Sequence, residues 1–505
     1  MIPLFWVEYH GEVGIDYWEY MLSLLYLLFF YMYFTRQKNM RMVESPEYKF
    51  YITGLMAKMM GGLAFSLVYF YYYQGGDALV FFLGGVAMRN LALVEPLEYL
   101  RQMLGDNSYQ SWTAYTFDTA KPFKYVFFDD RTFAVIRASS ILAFLTFKSF
   151  LISNLMIASA SYFGIWACYR TFVSYFPQLA GRLATGFLFM PSSIFWGSAI
   201  LKDTFTFSAV CWWVHSVDQL FFKRRTTVSL WFAVIASALV MIAMKPYIFM
   251  ILFPMTILWL MYFRMVALRN VLVKFVIVPL AVAMVFAVSL LVLTRLGSSF
   301  DKFALDGALQ TIQVTQGDLV NASAYGSNSF DVGKIDGTWG SVLSKFPVAT
   351  NAALFRPYIW ESNNMVMVLS GLENLWVLGL TLYAFYVAGP KFFFRASLGI
   401  PILMMSMAFA LLFAFMVGVT TPNFGALVRF KIPMVPFYIS SLFIIIYLAK
   451  LKRKRENQGL RFDLKGYRMG TAHLLLNAKE ETSSRKKGPE GKRSVGGPTG
   501  QGRHR

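Results

Sequence analysis

The chain has 505 residues and is 57% hydrophobic and 18% aromatic, with only 15% charged residues, where a soluble globular chain carries about a quarter. Its apolar runs are continuous rather than alternating, and several reach the roughly 20 residues that a helix needs to cross ~30 Å of hydrocarbon. That excludes a water-soluble fold and a β-barrel, and predicts an all-α polytopic integral membrane protein. The net charge of +20 is uneven: residues 451–505 hold 15 Lys/Arg against 5 Asp/Glu, which reads as a cytoplasmic tail beside anionic lipid and not as a nucleic-acid site.

The opening stretch MIPLFWVEYHGEVGIDYWEY lacks the basic start and small-residue cleavage site of a secretory signal. Eleven spans are expected, at about 17–35, 50–72, 150–169, 182–200, 204–222, 228–246, 247–265, 269–294, 366–388, 398–420 and 433–450. Basic residues in short loops mark the cytoplasm. The clearest such segments are 36–41, 223–225, 264–270, 391–395 and the tail from 452. All of them fall on one side only if the N-terminus lies outside, the C-terminus lies inside, and the apolar run 132–147 is a short interfacial or re-entrant helix on the outer side. The chain then divides into an N-terminal span with its cytoplasmic loop (1–49), a multi-span domain (50–450) with outer segments 73–131 and 295–365, and a basic tail (451–505) expected to be disordered. Cys168 and Cys211 lie in apolar runs, so neither a disulfide framework nor a metal cluster is expected. Walker, dinucleotide, zinc and serine-hydrolase signatures are missing, which disfavours ATP-driven transport and soluble-cofactor chemistry.

This threading gathers unusual polar residues on the outer side. In GGDALVFFLGG (75–85), Asp77 follows a span and opens a short amphipathic helix. It reads either as a helix cap or as a carboxylate at the lipid–water boundary, able to take a hydroxyl proton or hold a metal ion. PSSIFWGSAILKD (191–203) ends in Lys202 and Asp203, either a salt bridge pinning a turn or a phosphate-facing lysine oriented by its neighbour. Lys245, Arg356, Arg429 and Lys431 also run against the positive-inside pattern, and Lys245 alone would read as snorkelling. Together such cations suit a phosphate or pyrophosphate. LFRPYIWE (354–361) sets Arg356 and Glu361 around Tyr358 and Trp360, either an interfacial aromatic belt with an ion pair or a sugar-binding group. Asp129, Asp130 and Arg131 introduce the 132–147 helix, and Glu373 is an intramembrane carboxylate, a functional candidate by default. The NAS triplet at 321–323 fits a glycosylation sequon.

With Asp77 in an early outer loop, amphipathic segments at 78–90 and 132–147, and a bundle whose polar face is the outer one, residues 50–450 resemble the GT-C type of polytopic glycosyltransferases. The resemblance implies a polyprenyl-linked sugar donor and a glycan or lipid acceptor at the extracytoplasmic face of the cytoplasmic membrane. Asp77 would be the general base or acceptor-positioning carboxylate, and Lys202, Lys245, Arg356 or Arg429 would hold the lipid phosphate. No cofactor is implied beyond a possible divalent metal. The long loop 295–365 ending in Arg356, and Arg429 in NFGALVRFK, also resemble polysaccharide polymerases and ligases of the Wzy and O-antigen ligase kind. A flippase for lipid-linked glycans is the reading from another class, though its site would sit near the midplane, commonly with an internal repeat.

Overall fold

The computed structural model of the protein describes residues 8–267, 330, 332–333, 336 and 338–467. All regular structure among them is helical. Seven described helical segments are long and apolar enough to cross a membrane: Pro46–Tyr73, Asp77–Val94, Phe150–Tyr175, Pro246–Val266, Met365–Ala388, Pro401–Thr420 and Val435–Asn457. Six of these fall on expected spans. The seventh begins at Asp77, where the sequence suggests a short amphipathic helix and the chain instead forms 18 helical residues. The expected span 269–294, the sequon and most of the 295–365 loop lie outside the described residues.

In chain order, α1 is Tyr17–Met42, α2 Tyr51–Leu67 with a π turn through Tyr73, α3 Asp77–Val94 and α4 Pro96–Met103. Next come α5 (Asp130–Leu145) and α6 (Phe150–Tyr175). The expected span 182–200 is a broken element made of α7 (Ala180–Leu188) and α8 (Pro191–Trp196). Pro191 enters at the first position of α8, where its missing N–H costs nothing, while Phe189 and Met190 fall outside either helix. The chain then passes through 197–201 into α9 (Lys202–Val217), α10 (Val228–Met244) and α11 (Pro246–Ala267). The rest comprises α12 (Phe346–Phe355), α13 (Met365–Ala388), α14 (Pro390–Gly399), α15 (Pro401–Thr420), α16 (Phe424–Phe430) and α17 (Val435–Asn457).

Polar contacts tie the helix ends into two separate layers. In the first, Ser149 donates to Glu19, Asn154 donates to Ser66 and accepts from the Ile200 N–H at 2.8 Å, and Lys202 reaches Asp129. Phe330 N–H closes onto the Pro422 carbonyl in the same layer. In the second, Arg170 pairs with Glu47, Lys223 with Asp218, and the Tyr262 hydroxyl donates to the Gly399 carbonyl. Phe176 stacks on Tyr467 there, and Lys452 lies over the Phe392 ring. The basic segments 36–41, 223–225, 391–395 and 452–455 all belong to helix ends of this second layer. Both ends of α5 belong to the first: Asp129 precedes it beside Lys202, and Thr146, which follows it, bonds Ser153 at the start of α6.

Close packing seats the broken element. A Cβ on Gly62 would meet the Ser198 carbonyl at 2.8 Å and the Asn154 carbonyl at 3.2 Å, so only glycine lets α2 approach the 197–201 bend. Lys58, one turn earlier on α2, is buried and donates to the Ser193 and Gly197 carbonyls, which lie at the C-terminal end of α8 and lack helical partners. At the other end of α8, the Glu373 carboxylate accepts from the Ser192 N–H at 2.7 Å and its hydroxyl at 2.6 Å. An intramembrane carboxylate and an intramembrane lysine thus hold the two ends of one short helix, a packing role for Glu373. Overpacking in a close-fitting core costs about 1–3 kcal/mol. Gly62→Ala is therefore expected to lower the thermal unfolding midpoint in detergent, whereas Gly379→Ala, where a Cβ meets nothing within 4 Å, leaves it unchanged or raised.

Candidate functional site

Asp203 lies in the first turn of α9 and is fully buried, with 0% of its side chain exposed. A carboxylate taken out of water survives only if paired, and Asp203 is paired twice. Lys245 Nζ, in the turn between α10 and α11, contacts Oδ1 at 2.5 Å, and Arg429 Nε, near the end of α16, contacts Oδ2 at 2.7 Å. Arg429 then extends Nη1 to Asp77 Oδ2 at 2.7 Å. Lysine, aspartate, arginine and aspartate form one line across four separate helix ends.

The two ends of that line differ in solvation. Asp203 has no exposed surface, whereas 55% of the Asp77 side chain is exposed. Asp77 is the first helical residue of α3, preceded by Gly76 at φ +107°, a left-handed turn that glycine adopts without Cβ strain. Its carboxylate reaches sideways to Arg429 across 352 positions of sequence.

Lys202 extends the cluster but does not pair with Asp203. Adjacent helix positions point about 100° apart, so Lys202 turns toward α5. There Nζ donates to Thr132 Oγ1 at 2.6 Å and lies 3.7 Å from Asp129 Oδ2, while Thr132 in turn donates to that carboxylate. Burial works to raise the Asp129 carboxyl, but the Thr132 hydroxyl and the Lys202 ammonium outweigh it and hold the group below its ordinary range. The turn-pinning salt bridge expected within Lys202–Asp203 is replaced by two bridges leaving in different directions.

Arg356 and Glu361 stand apart from this line. Arg356 makes a forked contact with Glu361, Nε lying 3.0 Å and 3.1 Å from its two oxygens, and its guanidinium sits over the Phe330 and Phe424 rings at 5.0 Å and 5.3 Å. Glu361 also accepts from the Tyr358 N–H at 2.8 Å. Phe424 and Arg429 occupy opposite ends of α16, roughly 7.5 Å apart along its axis. Lys431 turns away as well, and donates to Asn374 Oδ1 at 2.6 Å.

A groove of about 420 Å³ opens at Arg429. Tyr69, Tyr73 and Trp196 form one wall, and the start of α13 (Val366, Met367) with Val428 the other. Asn364 and Asn423 line it too, but each spends its side-chain oxygen capping a helix, on Met367 N–H and Ala426 N–H. The lining of the groove is therefore mainly apolar and aromatic, with Arg429 the one charged residue among those described. Of its aromatic wall, only Trp196 lies in a stretch that the sequence singles out, PSSIFWGSAILKD.

Among the described residues no group of three His, Cys, Asp or Glu side chains is disposed to hold a metal ion; Asp77, Asp129 and Asp203 each face a cation instead. Compared with protein-family models, with characterised proteins and with solved structures, the chain matches none.

The geometry sorts the two aspartates by what their loss would do. Asp203→Asn leaves Lys245 and Arg429 as buried cations sharing no carboxylate, a loss of about 3–5 kcal/mol. It should sharply lower the unfolding midpoint in detergent, and Asp203→Asn/Lys245→Met should recover part of it, since the second change removes one of the two buried cations left without the Asp203 carboxylate. Asp77→Asn, at a half-exposed bridge, should change the midpoint little. Equal destabilisation by both single variants would contradict this division.

Proposed function

We propose that the protein is a membrane glycosyltransferase that moves a sugar from a polyprenyl-linked donor to a hydroxyl acceptor at the face bearing the Asp77–Arg429–Asp203–Lys245 line. The observation that carries this reading is an exposed carboxylate fixed by an arginine at the head of an aromatic, apolar groove. Such a groove suits an isoprenoid or glycan chain, its Arg429 suits the phosphate, and Asp77 stands beside that arginine. On this reading the first layer of helix ends faces away from the cytoplasm and the second faces it, with basic segments positioned as the charge rule requires. The α3 and α5 helices both start at the cluster and run side by side, with Gly85 against Ser139. Because both ends of α5 lie in one layer, the pair serves as an interfacial platform rather than as two spans.

The chemistry assigned to the site is a displacement at the anomeric carbon. The acceptor hydroxyl oxygen bonds to that carbon, and its proton passes to Asp77. The carbon–oxygen bond to the phosphate breaks, and its electron pair leaves with the phosphate oxygen. Arg429 and Lys202 stabilise the charge that grows there, and preorganised cations of this kind are a major source of rate enhancement. Asp203 and Lys245 act through Arg429 as positioning residues.

A polymerase or ligase reading rests on the two arginines at opposite ends of α16 and would leave Asp77 dispensable. Complementation of a deletion strain separates the two. General-base removal costs about 10²–10⁴-fold, so Asp77→Asn at matched protein level should abolish the surface glycan while unused single-sugar donor accumulates. Full activity of Asp77→Asn, with lipid-linked repeat units accumulating in Arg356→Ala and Arg429→Ala, would replace glycosyl transfer by polymerisation. Normal lipid-linked pools in all three variants would remove both.

A further inference from the structure

Arg429, which lines the groove, and Lys202, in the same ionic cluster, are each held from two sides, and the two sides are unlike. Arg429 has a buried anchor, Asp203, on Nε and a 55%-exposed carboxylate, Asp77, on Nη1. Lys202 has a neutral anchor, Thr132, and a 48%-exposed carboxylate, Asp129. The anchors hold each cation in place without the exposed acids. Three cations and three carboxylates make the cluster neutral as it stands, so it offers no net attraction to an anion. With Asp77 and Asp129 turned out to water, Lys202, Lys245, Arg429 and Asp203 together carry two positive charges. Moving them costs little, because exposed bridges contribute only about 0–1 kcal/mol.

We infer that Asp77 and Asp129 are built-in occupants of a phosphomonoester site formed by Arg429 and Lys202, and that a phosphate group binds there by displacing them. A phosphomonoester carries about −1.5 to −2 charges near neutral pH, which matches the two charges uncovered, whereas a singly charged phosphodiester leaves one unbalanced. The site is thus matched to the monoester left when a sugar departs from a lipid phosphate more closely than to the donor itself. Displacement also frees Asp77 from Arg429 when phosphate occupies the site, so a single exchange of partners both seats the phosphate and releases the carboxylate to accept a proton. This rests on the proposed reading for its substrate but not for its geometry, since the exchange concerns any phosphate that reaches Arg429.

The test is equilibrium binding to the purified full-length chain in nanodiscs, with farnesyl phosphate and inorganic phosphate as probes. Competition by an exposed carboxylate worth up to about 1 kcal/mol predicts that Asp77→Asn tightens farnesyl phosphate binding by up to about fivefold. Asp129→Asn should tighten it by a smaller factor and Arg429→Gln should abolish it. Either aspartate variant suffices should the other fail to fold. A farnesyl phosphate affinity far above that of inorganic phosphate marks a lipid headgroup as the ligand; equal affinities mark free phosphate, and in both cases the gain in the aspartate variants supports the exchange. Unchanged or weaker binding in the folded aspartate variants, or binding of neither probe by the wild type, overturns it. Tighter binding with intact glycan synthesis in Asp77→Asn would uphold the exchange and refute the general base. Lost synthesis without tighter binding would do the reverse.

Discussion

The arrangement depends on one buried charge. Asp203 has no exposed side-chain surface, and an unpaired carboxylate in that position would cost several kcal/mol. Its two partners come from the α10–α11 turn and from α16, elements separated from it by 42 and 226 positions. Satisfying this one group therefore fixes where three helix ends meet. It also fixes Arg429 at Nε, which leaves the other edge of the guanidinium directed at Asp77. A lysine at 429 could not serve both, since a point charge on a flexible stem lacks the planar fork that addresses two carboxylates at once.

The broken α7–α8 element explains how Asp203 reaches its place. An uninterrupted helix would exhaust its backbone donors and acceptors internally and end wherever its length carried it. Instead the chain stops at Phe189, restarts at Pro191, and bends through 197–201 before α9 begins. The backbone groups released by those interruptions are taken up by side chains from elsewhere: Glu373 on the Ser192 N–H, Lys58 on the Ser193 and Gly197 carbonyls, and Asn154 on the Ile200 N–H. Irregular backbone is tolerated in a membrane protein where the protein itself satisfies it. Glu373, which the sequence marks as a functional candidate because it is charged inside an apolar run, serves this purpose, and so does Lys58. Those at the helix mouths converge on the buried Asp203 or reach outward to the exposed Asp77 and Asp129.

What the sequence disclosed follows the same line. Charge against the positive-inside pattern marked Lys202, Lys245, Arg356 and Arg429, and a carboxylate after a span marked Asp77, because each of those signals is local. Pairing is not local. Lys202 and Asp203 look like partners because they are neighbours, yet helical geometry sends them to Asp129 and Arg429. Arg356 carries the same sequence signal as Arg429 but is closed by Glu361 only five positions on and by the Phe330 and Phe424 rings. Length and composition located six of the long helices, and the short amphipathic helix expected from Asp77 proves to be 18 residues long, packed along α5 at Gly84 and Gly85. The groove wall escaped because tyrosine and tryptophan near a membrane surface are common whether or not a ligand lies against them.

A site meant only to hold the bundle together would gain from burying both ends of its ion-pair line, since exposure weakens a bridge to about 0–1 kcal/mol. Here burial is complete at Asp203 and lapses at Asp77 and Asp129. The exposure rises outward from Asp203 to Asp77 along the line, and Arg429 between them also lines the groove. Stability explains the inner half of the line and leaves the outer half unexplained, since two solvated carboxylates contribute little to folding. Their position beside cations that are already anchored makes sense for groups that can exchange partners without loosening the fold.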